Sequence, residues 1–302
     1  MSSLLVTGTI GIDSVETPHG RRPDVLGGSA SYFSFAAALF TRVRLVGVVG
    51  DDFPDDYRRI YSDHAIDTAG LEVRAGAKSF RWSARYHGDM STAETLRTDL
   101  NVLEGDSPSI PDAFRDSRFV FLANYHPIKQ LEFLEQLSGP ELIVADTMNL
   151  WIETARDELL ATLRRVTGLV INDGEARLLT GRQNLIDAGQ AILELGPKFV
   201  VIKKGEHGSM LVSPDDLFAL PAFPTREVRD PTGAGDSFAC GMMGYLAAGD
   251  RFDASTLRAA IARGTVVASF TIEGFSLDAL RCATPDAVEQ RLKRLRDVVR
   301  FS

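Results

Sequence analysis

The 302-residue chain is 44% hydrophobic and 25% charged, a composition typical of a globular enzyme with room for one large α/β domain. Its net charge of −8 and its pI near 5.2 argue against bulk electrostatic attraction to nucleic acid or to an anionic membrane. The two cysteines imply neither a disulfide framework nor a thiolate metal site, and the five histidines lack the spacing of a zinc site. Because the first residues lack a basic start and no apolar run approaches the length of a membrane span, we expect a cytoplasmic protein.

The chain opens with a predicted buried strand at 4–6, which leads through Gly8 and Gly11 to Asp13. These glycines lack the Gly-x-Gly-x-x-Gly spacing of a dinucleotide-binding loop, which disfavours an oxidoreductase. The polar segment 16–25 suits an edge strand and loop outside the main sheet.

A glycine pair, Gly27 and Gly28, opens an apolar helix predicted over 32–40. Such a pair lets a ligand approach the backbone at the helix N-terminus. A second strand at 44–49 and a helix that ends near residue 62 follow.

A pair of strands then interrupts the alternation of strands and helices. Residues 79–87 alternate between two faces, one of them aromatic, and 93–102 can return as the second strand. We expect a single domain over 1–302 with a small β-sheet lid built from segments 14–26 and 76–103. An aromatic face needs a cover, so the lid should close over the substrate, form a homodimer interface, or do both. A surface hairpin packed on its own domain is the alternative.

From residue 118 onward, strands and helices alternate regularly. The predicted strands and the polar residues that end them are 119–123 with Asn124, 142–145 with Asp146, 169–171 with Asn172, and 199–202 with Lys203. The predicted helices between and after them are 128–137, 153–165, 174–179 and 185–195. The pattern indicates a three-layer α/β/α fold with a mainly parallel central sheet. Ligands bind beyond the carboxyl ends of such strands, which would bring these polar residues into one site.

The most informative stretch is 229–238, which reads Arg-Asp-Pro-Thr-Gly-Ala-Gly-Asp-Ser-Phe and precedes an apolar helix. Its two glycines allow a tight turn, and the free amides at the start of the helix bind anions. At the mouth of that site, Asp236 would repel phosphate unless it takes a proton from a group that attacks the phosphate. This layout is typical of a phosphotransferase. A glycine turn with a helix-capping Asp explains single residues but not the whole run.

The Asp-Pro-Thr-Gly-Ala-Gly-Asp-Ser-Phe run resembles the C-terminal signature of the ribokinase-like (PfkB) carbohydrate and nucleoside kinases. The resemblance implies a ribokinase-like fold with a small β-sheet lid, and ATP with Mg²⁺ as cofactors. It also implies that Asp236 is the catalytic base and that the amides of Gly233, Ala234 and Gly235 form an anion hole.

The same resemblance implies five substrate-binding residues: Asp13, Gly27, Gly28, Tyr32 and Asn124. Many relatives carry an Asn where Tyr32 stands, and that Asn bonds substrate hydroxyls. Tyr32 could instead stack on a ligand ring or fill space in the core, so it leaves the acceptor open.

Asn172 and Glu175 stand three residues apart at a helix start and can form a capping box. They also resemble the family's Asn-x-x-Glu motif, which helps to hold Mg²⁺, largely through water, and the ATP phosphates. Oxygen ligands that leave room for water and phosphate suit Mg²⁺, and we favour this functional interpretation. By resemblance, Lys203 and Gly205 lie along ATP, although a lysine is unusual at position 203.

Thr232 is expected at the nucleotide. Together with Asp230 and the loop 273–276 it looks like the monovalent-cation site of many relatives, which would take K⁺.

The sequence therefore predicts an ATP-dependent kinase that phosphorylates a hydroxyl of a small sugar, polyol or nucleoside. A dedicated nucleoside kinase and a non-catalytic ligand-binding relative are the alternatives.

Overall fold

A computed structural model describes residues 3–300 of the chain. The strands are β1 Leu4–Thr7, β2 Gly11–Thr17, β3 Gly20–Gly27, β4 Val43–Gly50, β5 Ile66–Arg74, β6 Phe80–Tyr86, β7 Ala93–Asp99, β8 Phe119–Leu122, β9 Leu142–Asp146, β10 Gly168–Asn172, β11 Phe199–Lys203, β12 Ser209–Val212 and β13 Leu217–Leu220.

The α-helices are α1 Ser29–Ala37, α2 Asp55–Ser62, α3 Pro127–Leu134, α4 Asn149–Thr154, α5 Arg156–Leu163, α6 Asp173–Thr180, α7 Leu185–Leu193, α8 Ala234–Gly249, α9 Ala254–Thr271, α10 Asp278–Arg281 and α11 Pro285–Val299. Short 3₁₀ helices cover Asn101–Glu104, Asp112–Phe114 and Gly205–His207.

The central sheet has nine strands in the order β13-β12-β11-β10-β9-β8-β1-β4-β5. The seven strands from β11 to β5 run parallel. β12 runs antiparallel to β11, and β13 is antiparallel to β12 and so runs in the direction of the other seven. After β1 the chain first places β4 and β5 on one side of β1, and later it places β8 on the other side. The crevice beyond the carboxyl ends of β1 and β8 is therefore the expected ligand site of such a sheet.

Helices cover both faces of this sheet because alternate strand residues point to opposite sides. Leu4 and Val6 of β1 pack into one hydrophobic core with α1, α8, α9, α10 and α11. Leu5, between them, packs into a second core with α3, α5, α6 and α7. The first core includes the stacked rings of Phe33 and Phe121, whose centroids lie 4.1 Å apart. The predicted three-layer α/β/α fold is confirmed.

A second sheet of four strands, in the order β3-β2-β6-β7, stands beside the main sheet. Two antiparallel hairpins form it, joined by a parallel pairing of β2 with β6. Its side chains Val15, Trp82, Tyr86 and Met90 pack with Val228, just before the glycine-rich motif. The aromatic face thus covers part of the chain's own domain.

Two of the differences from the sequence prediction concern whole elements of the main domain. The edge strand β5 was missed because the polar Asp67 and Thr68 break its apolar pattern, and only two of its nine residues are buried. The single helix predicted at 153–165 is two helices, α4 and α5, which meet at Ala155 in a non-helical conformation (φ −138°, ψ 43°).

Candidate active site

Helix α8 begins at the glycine-rich motif with an open N-terminus. Gly233 has φ 75°, in the left-handed region that favours glycine. A Cβ there would lie 2.2 Å from Cδ1 of Tyr32. Among the described residues no side chain caps the first amides of α8. The Ala234 amide donates to the Pro231 carbonyl at 3.1 Å. The other amides of the first turn and the helix dipole make this end of α8 suited to an anion.

Asp236 lies in the first turn of α8, among other charged groups. Burial raises the pKa of its carboxyl to about 8, and the negative charges of Asp146, Asp13 and Glu175 add to that effect, while Lys203 opposes it. A carboxyl with a pKa near neutrality is matched to accepting a proton from a hydroxyl during a reaction. The five ionisable groups named here come from five different elements, β2, β9, α6, β11 and α8, and the fold brings them together.

Lys203, the last residue of β11, is the positive charge of this cluster. Its Nζ lies 3.4 Å from Oδ2 of Asp146. A Cβ on Gly235 would lie 2.9 Å from the same Nζ, so the ammonium group stands against the anion-binding turn. Burial lowers the pKa of Lys203, but the surrounding carboxylates outweigh it and the net shift is upward. The lysine is therefore charged at neutral pH.

Asn172 and Glu175 form the capping box that their spacing allows. The Glu175 amide donates to Oδ1 of Asn172 at 2.7 Å, and the Asn172 amide donates to Oε2 of Glu175 at 2.9 Å. Burial, followed by the charge of Asp146, raises the pKa of Glu175 to about 7. The pair thus has the structural role of a cap and also lies within electrostatic reach of Lys203 and Asp146.

Asp13 lies on β2 against the glycine pair and is 3% exposed. The Gly28 amide donates to its Oδ2 at 3.3 Å, whereas its Oδ1 is buried without a hydrogen-bond partner in the described chain. A Cβ on Gly27 would lie 1.9 Å from Oδ2, so the carboxylate needs a glycine there. Burial raises the pKa of Asp13 to about 7. An unpaired buried acceptor is costly unless a ligand satisfies it.

Tyr32 lies on α1 and is 1% exposed. Its ring packs beneath Gly233, and its hydroxyl has no hydrogen-bond partner among the described residues. Burial raises its pKa well above the usual value, so the phenol is neutral. The side chain therefore contacts the motif turn from the core side.

Asn124 follows β8 and holds an indole ring. Its Oδ1 accepts a hydrogen bond from Nε1 of Trp151 at 2.9 Å, and its Nδ2 lies 3.2 Å from Sδ of Met148. The Ser29 hydroxyl donates to the Asn124 carbonyl at 3.0 Å, which places Asn124 beside the start of α1 and the glycine pair.

Asp230 and Thr232 make contacts that hold the motif loop. The amides of Thr232 and Ser276 donate to the two carboxylate oxygens of Asp230 at 2.9 and 3.2 Å. The Thr232 hydroxyl donates to the Tyr86 hydroxyl on β6 at 3.2 Å. Asp230 therefore contacts the loop 273–276 through the Ser276 amide.

Gly205 stands apart from these groups. It has φ 56° at the start of a short 3₁₀ helix, and a Cβ there would meet no atom within 4 Å. Its carbonyl accepts a hydrogen bond from the Gly208 amide at 3.1 Å, within its own turn.

Sequence reasoning placed Asp146 at the site without a role, and it did not place Tyr86 there. Asp146 ends β9 beside the ends of β10 and β11, and a carboxylate at a strand end was the only signal. Tyr86 was assigned only to an aromatic face, because nothing in the sequence shows that β6 packs against Thr232.

Two features of residues 3–300 bear on cofactors and membranes. No group of three or more His, Cys, Asp or Glu side chains within that range could hold a metal ion directly. No helix in that range combines the length and the apolar character needed to span a bilayer.

Comparison with known proteins agrees with this geometry. The profile of the pfkB family carbohydrate kinases matches residues 24–280. The chain is 33% identical over 251 residues to a cytidine kinase of Thermococcus kodakarensis, a match that covers 81% of this chain and 89% of that protein.

Two solved structures share the fold. One is a nucleoside kinase of Methanocaldococcus jannaschii, with a TM-score of 0.78, 19% identity, and coverage of 97% of this chain and 99% of that one. The other is the aminoimidazole riboside kinase of Salmonella enterica, solved with aminoimidazole riboside and an ATP analogue. It has a TM-score of 0.77, 20% identity, and coverage of 96% and 99%. The chain belongs to the pfkB family of carbohydrate kinases and is an ATP-dependent phosphotransferase that acts on an alcohol group of a sugar or nucleoside.

Proposed function

We propose that Asp236 is the base that takes the proton from the acceptor hydroxyl, and that the amides of Gly233, Ala234 and Gly235 bind the transferring phosphoryl group. The observation that carries the proposal is the position of Asp236. Its carboxyl lies in the first turn of the uncapped helix α8, and burial raises its pKa to about 8. Aligned amides and a helix dipole stabilise charge that develops on the phosphoryl oxygens. A base whose pKa is already near neutrality needs no large change in pKa to act.

The acceptor would lie between the glycine pair and Asp236. The unpaired Oδ1 of Asp13 can accept a hydrogen bond from an acceptor hydroxyl, which satisfies its buried lone pairs. Gly27 and Gly28 let the acceptor approach the backbone, and Asn124 borders the same crevice at the end of β8. Tyr32 would support the turn at Gly233 from the core side.

The nucleotide would lie near the ends of β10 and β11, where Asn172 and Lys203 are paired. Thr232 and Gly205 would be further contacts of the nucleotide. Lys203 supplies a positive charge for the phosphates. The oxygen donors of Asn172 and Glu175 suit Mg²⁺ bound through water, and the ion would neutralise phosphate oxygens there. K⁺ near Asp230 remains a prediction, and both carboxylate oxygens of Asp230 already accept amide hydrogen bonds.

The second sheet would act as a lid that excludes water from the reaction. Its inner face packs on Val228, and Tyr86 reaches Thr232, so closure would be transmitted to the motif. A homodimer through the outer face of this sheet is the accompanying proposal.

For the acceptor we propose a small sugar, polyol or nucleoside, with nucleosides to be tested first. A cytidine kinase is 33% identical to this chain, and the Salmonella structure was solved with a riboside.

ADP release from Mg-ATP, measured against a panel of nucleosides, sugars and polyols, tests the proposal. We expect turnover with at least one acceptor and a loss of about 10²- to 10⁴-fold in Asp236→Asn, with ATP binding and the melting temperature retained. Full activity in Asp236→Asn would exclude Asp236 as the base. If the wild type binds ATP but releases no ADP with any acceptor of the panel, the result would favour a non-catalytic relative.

A further inference from the structure

One buried carboxylate of the site has no part in the proposed chemistry. Asp146 ends β9, is 5% exposed, and lies among the groups that surround Asp236. A buried carboxylate without a counter-charge is strongly unfavourable, so its partners indicate its role.

The two oxygens of Asp146 have separate partners. The Thr147 amide donates to Oδ1 at 2.9 Å, which fixes the orientation of the carboxylate. Oδ2 faces Nζ of Lys203 at 3.4 Å. An ammonium group has three N–H donors, so one contact with Asp146 leaves two of them for other acceptors.

The position of that ammonium group relative to α8 is specific. A Cβ on Gly235 would lie 2.9 Å from Nζ, and Cβ atoms of a helix point toward its N-terminus. Nζ therefore lies at the end of α8 where the free amides are, and the missing side chain of Gly235 gives it the space. The amides at the start of α8 and the ammonium group of Lys203 therefore converge on one position for an anion.

Lys203 also has two competing carboxylates nearby, Glu175 and Asp236. An ion pair with Asp236 would make the base less able to take a proton. We propose that Asp146 is a positioning residue whose carboxylate holds the Lys203 ammonium group at the N-terminus of α8, an inference that rests on the proposed function. There the lysine meets the transferring phosphoryl group and stays away from the base.

A double-mutant cycle separates this role from an independent one. In Lys203→Met we expect kcat to fall by about 10²-fold or more, the loss typical of a removed charge-stabilising group. In Asp146→Asn, which keeps the shape of the side chain, we expect a fall in kcat of about tenfold, with KM for the acceptor unchanged. In the double variant we expect kcat to equal that of Lys203→Met within about twofold, because Asp146 would have nothing left to position.

Lys204→Met is the matched control, since the neighbouring lysine makes no ion pair among the described residues, and it should retain wild-type kcat. The proposal would be overturned if the double variant showed the product of the two separate losses in kcat. So would recovery of Asp146→Asn at raised Mg²⁺, which would identify Asp146 as a metal-holding group instead. Melting temperatures close to that of the wild type show that each variant folds.

The same cycle can be measured as affinity for a non-hydrolysable ATP analogue with Mg²⁺ by calorimetry, without any acceptor. We expect Asp146→Asn to weaken binding by about threefold or more when Lys203 is present and not when it is Met. Equal weakening in both backgrounds would again overturn the positioning role. A wild-type enzyme that binds the analogue but phosphorylates no acceptor would count against the proposed function and not against this inference.

Discussion

The Thr232 hydroxyl donates a hydrogen bond to the Tyr86 hydroxyl at 3.2 Å, which joins the second sheet to the residue just before the turn at Gly233. A second bond lies close by, where the Thr17 hydroxyl of β2 donates to the Arg229 carbonyl at 2.9 Å. The two strands that pair in parallel within the small sheet thus each contact the motif loop. A movement of this sheet would therefore directly shift the anion-binding turn.

The Tyr86→Phe variant tests that connection. It removes one hydrogen bond between neutral groups, worth about 1 kcal/mol, and keeps the ring that packs with Val15 and Met90. We expect kcat/KM for the acceptor to fall by about 3- to 10-fold, with the melting temperature within a few degrees of the wild type. Thr232→Val removes the other partner, and a loss beyond that of Tyr86→Phe would report the proposed nucleotide contact of Thr232. Wild-type kcat/KM in Tyr86→Phe would show that the contact is not used in turnover.

Asp13→Asn tests the unpaired carboxylate oxygen. The Gly28 amide can still bond an Asn side-chain oxygen, so the loop should keep its shape. A hydrogen bond from a substrate hydroxyl to a charged acceptor is worth about 1.5–3 kcal/mol. We therefore expect KM for the acceptor to rise by about 10- to 100-fold and affinity for ATP to stay constant. Steady-state kinetics with each substrate varied in turn measures both, and a change in ATP affinity alone would place Asp13 elsewhere.

Gly233→Ala should damage both fold and activity. The residue has φ 75°, and the new Cβ would lie 2.2 Å from the Tyr32 ring. Left-handed backbone costs a non-glycine residue about 1–2 kcal/mol, and the clash adds to that. We expect a lower melting temperature and a large loss of kcat.

Gly249→Ala, at the other end of α8, is the control for Gly233→Ala. Its Cβ would enter open space, so helix propensity should leave the stability equal or higher. Equal behaviour of the two variants would contradict the role assigned to the turn.

The stability of the ligand-free enzyme should depend on pH. Burial raises the pKa of Asp236 to about 8 and those of Asp13 and Glu175 to about 7, whereas unfolded carboxyls titrate near about 4. From about pH 5 to about pH 8 the folded state therefore binds more protons than the unfolded state. Its free energy of unfolding then falls as the pH rises.

We expect a higher melting temperature near pH 5.5 than near pH 8, and a smaller difference in Asp236→Asn because an amide does not titrate. Scanning calorimetry at both pH values measures this. An identical pH dependence in the two proteins would show that Asp236 titrates normally.

Much of the fold was predictable because its elements carry clear signals. Strands β8 to β11 are continuous apolar runs, and their bounds agree with the predicted ones to within one residue. The family was predictable because 229–238 combines a turn, a helix start and a carboxylate in one short run, and the match to the pfkB family confirms it.

The pairings within the site were not predictable, because they depend on contacts between distant segments. The sequence shows neither that Lys203 faces Asp146 nor that Asn124 holds Trp151. Asn172 and Glu175 illustrate a different limit. Their spacing is the same for a cap and for a ligand-holding pair, and the structure shows the cap while leaving both groups at the site.

The order of elements along the chain has a consequence for biosynthesis. The core that contains Phe33 and Phe121 is completed by α8, α9, α10 and α11, the first of which begins at Ala234. During translation, one face of the parallel sheet would therefore remain exposed until most of the chain has left the ribosome. Exposed apolar surface on an incomplete sheet promotes aggregation, so nascent chains of this enzyme should depend on chaperones until α8 has packed against α1.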